Sequence, residues 1–200
     1  GLFFKGLKEN PNILFPVVFI LLYTFMSIPN GDFYQSALEG HFGVNLPEGE
    51  GTQYFNIIVL IITGFFYWGV RTGIYALLIR LAGGSKVKTK VLFSMTGYFI
   101  LPNVVAMLIT VLVLNFTGQM IPLGLEAFLP LEERLFTLYG MILASITPFA
   151  FLYITFAATA LKNINKLSFK RALIITIIFW ILSTGWQISH SYVLLQRLIN

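Results

Sequence analysis

Five apolar stretches separated by short polar connections make up most of this chain. They cover about residues 13–28, 55–80, 91–116, 135–161 and 172–193. A helix that crosses a bilayer needs roughly 17–25 predominantly apolar residues, so each stretch reads as one transmembrane helix. The first is short, and Pro16 falls in its first turn, where a missing N–H costs little. The second holds 26 residues, roughly 39 Å of helix at 1.5 Å per residue, so it tilts or protrudes. The pattern predicts an all-α polytopic membrane protein, one transmembrane domain over residues 1–200.

The connections differ in character. Leu2, Phe3, Phe4 and Leu7 alternate with Lys5, Lys8 and Glu9, which predicts the end of an interfacial amphipathic helix. This segment lacks the small-residue cleavage site of a signal peptide. Pro29-Asn30-Gly31 predicts a turn after the first span. Beyond it, Phe33, Ala37, Leu38 and His41 share one helical face. That predicts a separate short helix in the headgroup layer, followed by a Gly- and Glu-rich coil. Gly83-Gly84 predicts the turn between the second and third spans. Residues 121–130 are apolar, Pro-bounded and too short to span, so they dip into the interface or cap the bundle. The second and third spans echo the fourth and fifth as hairpins with basic turns. Duplication would produce this echo, and selection for basic residues at those turns accounts for it more simply.

Composition sharpens the picture. The chain is 57% hydrophobic and 10% charged, with a mean hydropathy of +0.83. Soluble domains run at about 45–50% apolar and about 25% charged, and disorder needs the opposite balance. The absence of Cys excludes disulfides, thiolate metal sites and cysteine nucleophiles. The net charge of +5 reads as a loop bias and not as a nucleic-acid footprint. Ten of the thirteen basic residues, among them Lys86, Lys88, Lys90, Lys162, Lys166, Lys170 and Arg171, fall in the connections of one side. Seven of the eight acids fall on the other. The positive-inside rule then puts the N-terminus in the cytoplasm and the C-terminus outside.

Few residues carry chemistry. Arg71 is the one formal charge deep within a span, and a charge at that depth is a functional hypothesis by default. It either binds an anion such as a lipid phosphate or snorkels to the headgroups. No Asp or Glu within the five spans pairs with it. Gly69 and Gly73 flank it in a G-x-x-x-G, and Gly140 with Ala144 gives a similar small pair. Either serves helix packing within the bundle or a dimer face. Pro102 and Pro148 lie near the middle of the third and fourth spans and predict kinks. The carbonyls they free, near Tyr98 and Ala144, would lie beside Tyr98, Asn103 and Thr147 and line a polar cavity, or the kinks simply shape the bundle. Arg71, Tyr98 and Asn103 are therefore the candidate ligand-binding residues. His41 and His190 lack metal-ligand spacing, and no nucleophile or catalytic motif is present. The expectation is no metal, no cofactor and no enzymatic activity.

Several segments together resemble one family. They are Phe4-Lys5-Gly6-Leu7-Lys8-Glu9-Asn10-Pro11, Leu78-Ile79-Arg80-Leu81-Ala82-Gly83-Gly84, Gly97-Tyr98-Phe99-Ile100-Leu101-Pro102 and Leu167-Ser168-Phe169-Lys170-Arg171-Ala172. They resemble the Yip family of multispanning membrane proteins, named for members that interact with Ypt/Rab GTPases. Arg171, standing between Lys170 and Ala172, departs slightly from the family pattern. The resemblance implies five spans with a cytoplasmic N-terminus. It implies function through binding: membrane lipids, another membrane protein such as an ABC-type exporter, or a second copy, with a role in envelope stress. With about a dozen residues before the first span, a GTPase partner is not expected. The Cys-free, Ile-, Phe-, Lys- and Asn-rich composition points to a bacterial plasma membrane. The competing expectation is a small transporter or channel with its path between the kinked third and fourth spans.

Overall fold

The computed structural model describes residues 2–42 and 50–199. Among them the chain is all helix and turn, with no strand. Three helical stretches, Ile57–Leu81, Thr89–Thr117 and Phe169–Val193, are each long and apolar enough to cross a membrane. Counting two bent pairs as spans brings the number to five. The all-α polytopic class read from the hydropathy pattern is the class observed.

Helix α1 (Leu2–Glu9) turns by 111° into α2 (Leu14–Phe42). Asn12 Oδ1 caps α2 by accepting from the Leu14 amide at 2.8 Å. The predicted turn at Pro29-Asn30-Gly31 does not form. Helix α2 runs through Pro29 to Phe42 as one 29-residue helix, so the separate headgroup helix is its last turns. A proline removes one helical hydrogen bond and kinks at that point, but the flanking turns tolerate it when neighbouring groups compensate. Gln35 Nε2 donating to Glu39 Oε1 one turn on, at 3.1 Å, belongs to this extension. Of the predicted Gly- and Glu-rich coil up to Tyr54, residues 43–49 lie outside the described residues, as does the His41 side chain, whereas residues 50–54 are helical, the start of the helix Glu50–Leu81.

Helix α3 (Glu50–Leu81) carries Arg71. It ends at the predicted glycine turn, where Gly83 has φ +75°. Helices α4 (Thr89–Tyr98) and α5 (Leu101–Thr117) together form the third span. Their break falls at Phe99–Ile100, where the amides switch to the tighter i→i+3 pattern. Pro102 sits in the first turn of α5 and not in mid-helix, where its missing N–H is unneeded. Next come a 3-10 turn (Leu125–Phe128), α6 (Leu131–Phe136) and α7 (Leu138–Ser145). Helices α8 (Pro148–Asn165) and α9 (Phe169–Ile199) complete the chain.

The bundle has two unlike halves. At the basic end the helices close on a continuous core in which Tyr75, Met95, Phe99, Ala157, Leu161 and Ile164 are fully buried. Small residues on α8 let α9 approach closely. The two basic turns are tied together: the Ser85 amide donates to the Asn165 carbonyl at 2.8 Å, and Asn165 Nδ2 donates back to the Ser85 carbonyl at 3.3 Å. Helix α1 packs beneath this end. Phe4 and Leu7 are buried, and Lys8 Nζ donates to the Ile164 carbonyl at 3.2 Å. The half toward the acidic end is open.

Candidate functional site

The open half owes its shape to the break in the fourth span. Thr137 caps α7, and Thr147 Oγ1 caps α8 by accepting from the Ala150 amide at 3.0 Å. Pro148 is the first residue of α8, and α7 meets α8 at 50°. The break frees the Ile146 carbonyl, which accepts from the Leu125 amide of the 3-10 turn at 3.2 Å. A backbone group exposed by a broken span must find such a partner, because hydrocarbon offers none. The apolar connection thus folds onto the bundle as a cap.

Beneath the cap lies a cavity of about 770 Å³, within the 300–1,000 Å³ range typical of small-molecule sites. Its walls come from α2, α3, α5, α6, α7, α8, α9 and the cap. Arg71 sits at its floor, ten residues before the end of α3, about 15 Å along the axis. The side chain does not snorkel. It is 7% exposed, and its guanidinium lies over the rings of Tyr153, Phe179 and Tyr67 at 5.2, 5.5 and 5.7 Å. Cation–π contacts of this kind contribute about 0.5–2 kcal/mol each, more when dry. Nε has no hydrogen-bond partner among the described residues. Below it, the Tyr75 and Tyr153 hydroxyls share a hydrogen bond of 2.8 Å. Phe179 stacks on Tyr75 at 4.5 Å, and Phe99 meets Tyr75 edge-on at 5.2 Å. This aromatic layer closes the cavity from the basic half.

At the other end Glu126 belongs to the cap. It is 6% exposed and lines the cavity. Its Oε1 accepts from the Leu123 and Gly124 amides at 3.1 and 3.2 Å, whereas Oε2 is buried without a partner among the described residues. Gly124 is required beside it: a Cβ there would collide with Glu126 Oε2 and stand 3.0 Å from the Ile146 and Leu143 carbonyl oxygens. Along α9, Ser183, Gln187 and Ser191 line the cavity at intervals of four residues. That spacing makes a polar ladder roughly 12 Å long from the aromatic floor toward the acidic end.

Of the residues singled out from sequence, Arg71, Asn103, Thr147 and Ala144 share this cavity. Tyr98 lies away from it, with its ring 5.2 Å from Phe3 and 5.9 Å from Phe19. The break at Phe99–Ile100 rotates it toward α1 and α2. A methyl group added at Gly69 or Gly73 would meet nothing within 4 Å among the described residues, and Gly73 is exposed. Two residues along a helix amount to 200°, so these glycines face away from buried Arg71 and do not pack the bundle. Gly140 is buried against the Glu133 and Arg134 carbonyls of α6, and not against another span. The glycines that do permit helix contact are Gly97, against Pro16 and Trp68, and Gly64, against Ile20 and Thr24. His190 is exposed, and among the described residues no group of His, Asp and Glu is placed to hold a metal. From the sequence Glu126 is one of the acids of the acidic side, weighed with His41 and His190 for a metal and not for a cavity, and the α9 ladder is not marked. An acid between Pro122 and Pro130 in an apolar loop, and polar residues at i, i+4 and i+8, were the available signals.

The family model of the Yip1 domain matches residues 1–188. No curated protein and no solved structure gives a significant match.

Proposed function

This chain belongs to the Yip1 domain family, and from that premise we propose that it is a non-enzymatic membrane protein that binds the acidic group of a membrane amphiphile at Arg71. The observation that carries the reading is a mid-span guanidinium, held by three aromatic rings, at the floor of a cavity of about 770 Å³. A planar guanidinium suits a phosphate or carboxylate in a bidentate geometry. The rings hold it in place, so little ordering remains to be done on binding. The flanking polar groups, Asn103 and Thr147, offer further hydrogen bonds. The basic end belongs in the cytoplasm by the positive-inside rule, in our reading of a bacterial plasma membrane, and the cavity then opens toward the outer leaflet.

The test is phospholipid retention in mild detergent, read by native mass spectrometry on the wild type, Arg71→Lys and Arg71→Leu. Removing one partner of a buried charge pair costs about 2–5 kcal/mol, from about thirtyfold to several thousandfold in affinity. Arg71→Leu should therefore lose the lipid, and Arg71→Lys should hold it weakly. The Leu variant should insert at least as well, since a central charge costs about 2.5–3.5 kcal/mol on insertion scales. Wild-type retention by the Leu variant would refute the proposal.

A second reading, transport, has its own support in the cavity between the broken fourth span and the third. It requires the Tyr75–Tyr153 layer to open. Reconstituted vesicles that show no wild-type-dependent movement of a fluorescent phospholipid between leaflets would remove it.

A further inference from the structure

We infer that the ligand is zwitterionic: it carries an acid and an amine in one molecule, with its acid on Arg71 and its ammonium on Glu126. This rests on the reading of Arg71 above and deepens it. The second binding point comes from an independent observation. Glu126 lines the same cavity and is 6% exposed, and its Oε2 is buried with no hydrogen-bond partner among the described residues, Arg134 of the same wall included. Only Oε1 is used, by the Leu123 and Gly124 amides. A buried carboxylate oxygen left unpaired is costly, so the site is complete only when a donor meets it.

The two groups line one cavity: Arg71 lies against Tyr153 of α8, and Glu126 sits in the cap beside Leu125, whose amide pairs with the Ile146 carbonyl. A ligand that meets both carries an acid for the guanidinium and an N–H donor for the carboxylate. A dicarboxylate would meet Glu126 with like charge, and a simple anion would leave it unpaired. The ladder of Ser183, Gln187 and Ser191 leads along the same wall and gives the headgroup hydrogen-bonding partners on its way in.

The experiment uses the full chain in detergent and lipids with identical dioleoyl tails: phosphatidylethanolamine, phosphatidylglycerol and phosphatidylcholine. The wild type should bind the ethanolamine lipid roughly ten- to a hundredfold more tightly than the glycerol lipid, the range of one charge-assisted hydrogen bond. Glu126→Gln keeps the acceptor used by the two amides and removes the charge. It should abolish that preference by loosening the ethanolamine lipid, and a wild-type unfolding midpoint in tryptophan fluorescence reports a folded protein. The choline lipid has no N–H and should bind like the glycerol lipid, a comparison that needs no variant. Glycerophosphoethanolamine separates the sources: competition means the free head suffices, and its failure to compete assigns a lipid. Equal wild-type affinity for all three lipids, lost in Arg71→Leu, would overturn the zwitterion and leave the Arg71 reading standing. An ethanolamine preference that survives Glu126→Gln would overturn the role of Glu126. Binding of none of them, or binding indifferent to Arg71→Leu, would overturn both.

Discussion

Gly97→Ala adds one methyl group where three helices cross. The new Cβ would collide with Pro16 Cβ, lie 2.9 Å from Pro16 Cγ and stand 3.2 Å from Trp68 Cε2. Ordinary carbon–carbon contact is about 3.5–4.0 Å, so the shortfall exceeds half an ångström at two atoms. Neither neighbour can swing aside. Pro16 is fully buried and its ring is fused to the α2 backbone. Trp68 is tethered by Nε1 donating to the Phe93 carbonyl at 3.1 Å. Helix α2 must therefore move as a body, pulling on the Asn12 carbonyl that Ser94 Oγ hydrogen-bonds. Overpacking costs about 1–3 kcal/mol, and replacing Gly by Ala in a helix returns up to about 1 kcal/mol. The net expectation is a loss of about 1–2 kcal/mol. For a chain of this size that lowers the unfolding midpoint by about 2–8 °C. The assay is intrinsic tryptophan fluorescence in detergent at a fixed scan rate, since unfolding of such a protein is not reversible. Gly73→Ala is the internal control, because nothing among the described residues lies within 4 Å of its methyl position, and it should hold or raise the midpoint. A Gly97→Ala midpoint at or above the wild type, or a fall of equal size in both variants, would refute the packing argument.

Tyr75→Phe and Tyr153→Phe should each lower stability by about 1 kcal/mol, and the double variant should fall short of the sum, because both remove the one hydrogen bond of 2.8 Å; strict additivity in the unfolding cycle would count against that bond. Thr147→Ala removes the cap of α8 and should cost about 1 kcal/mol, with Thr147→Ser nearly neutral. Faster hydrogen exchange at the first amides of α8 is the specific sign, and an unchanged rate there would contradict the cap. A reporter fused after Asn200 that is active only outside the membrane should be active, as five spans from a cytoplasmic N-terminus require; activity of a cytoplasmic reporter there would reverse the orientation.

The hydropathy pattern by itself determined the all-α, polytopic class of this protein. Burial of backbone groups in hydrocarbon leaves a long apolar run almost no alternative to a helix. Arg71 was legible for the same reason, since a charge at that depth stands out against any apolar background. The glycine turn at Gly83-Gly84 and the break at Pro148 follow from local backbone chemistry, which a short window of residues contains. What a window does not contain is which faces meet. Gly69-x-x-x-Gly73 has the spacing of a packing motif yet faces outward, because Arg71 takes the opposite side of α3 into the bundle. Gly97, with no partner glycine at that spacing, is where the helices touch. Tyr98 lies four residues before Pro102 in sequence, but the helix break at Phe99–Ile100 turns it onto Phe3 and Phe19 and away from Asn103. The Pro29-Asn30-Gly31 turn gave way to a continuous helix, as a local propensity of a few kcal/mol does when the flanking turns are both helical. Glu126 became a cavity residue only because the Leu125 amide found the Ile146 carbonyl freed by a break some twenty residues later. Such long-range pairing is set by tertiary geometry, since the partners share no periodicity along the chain.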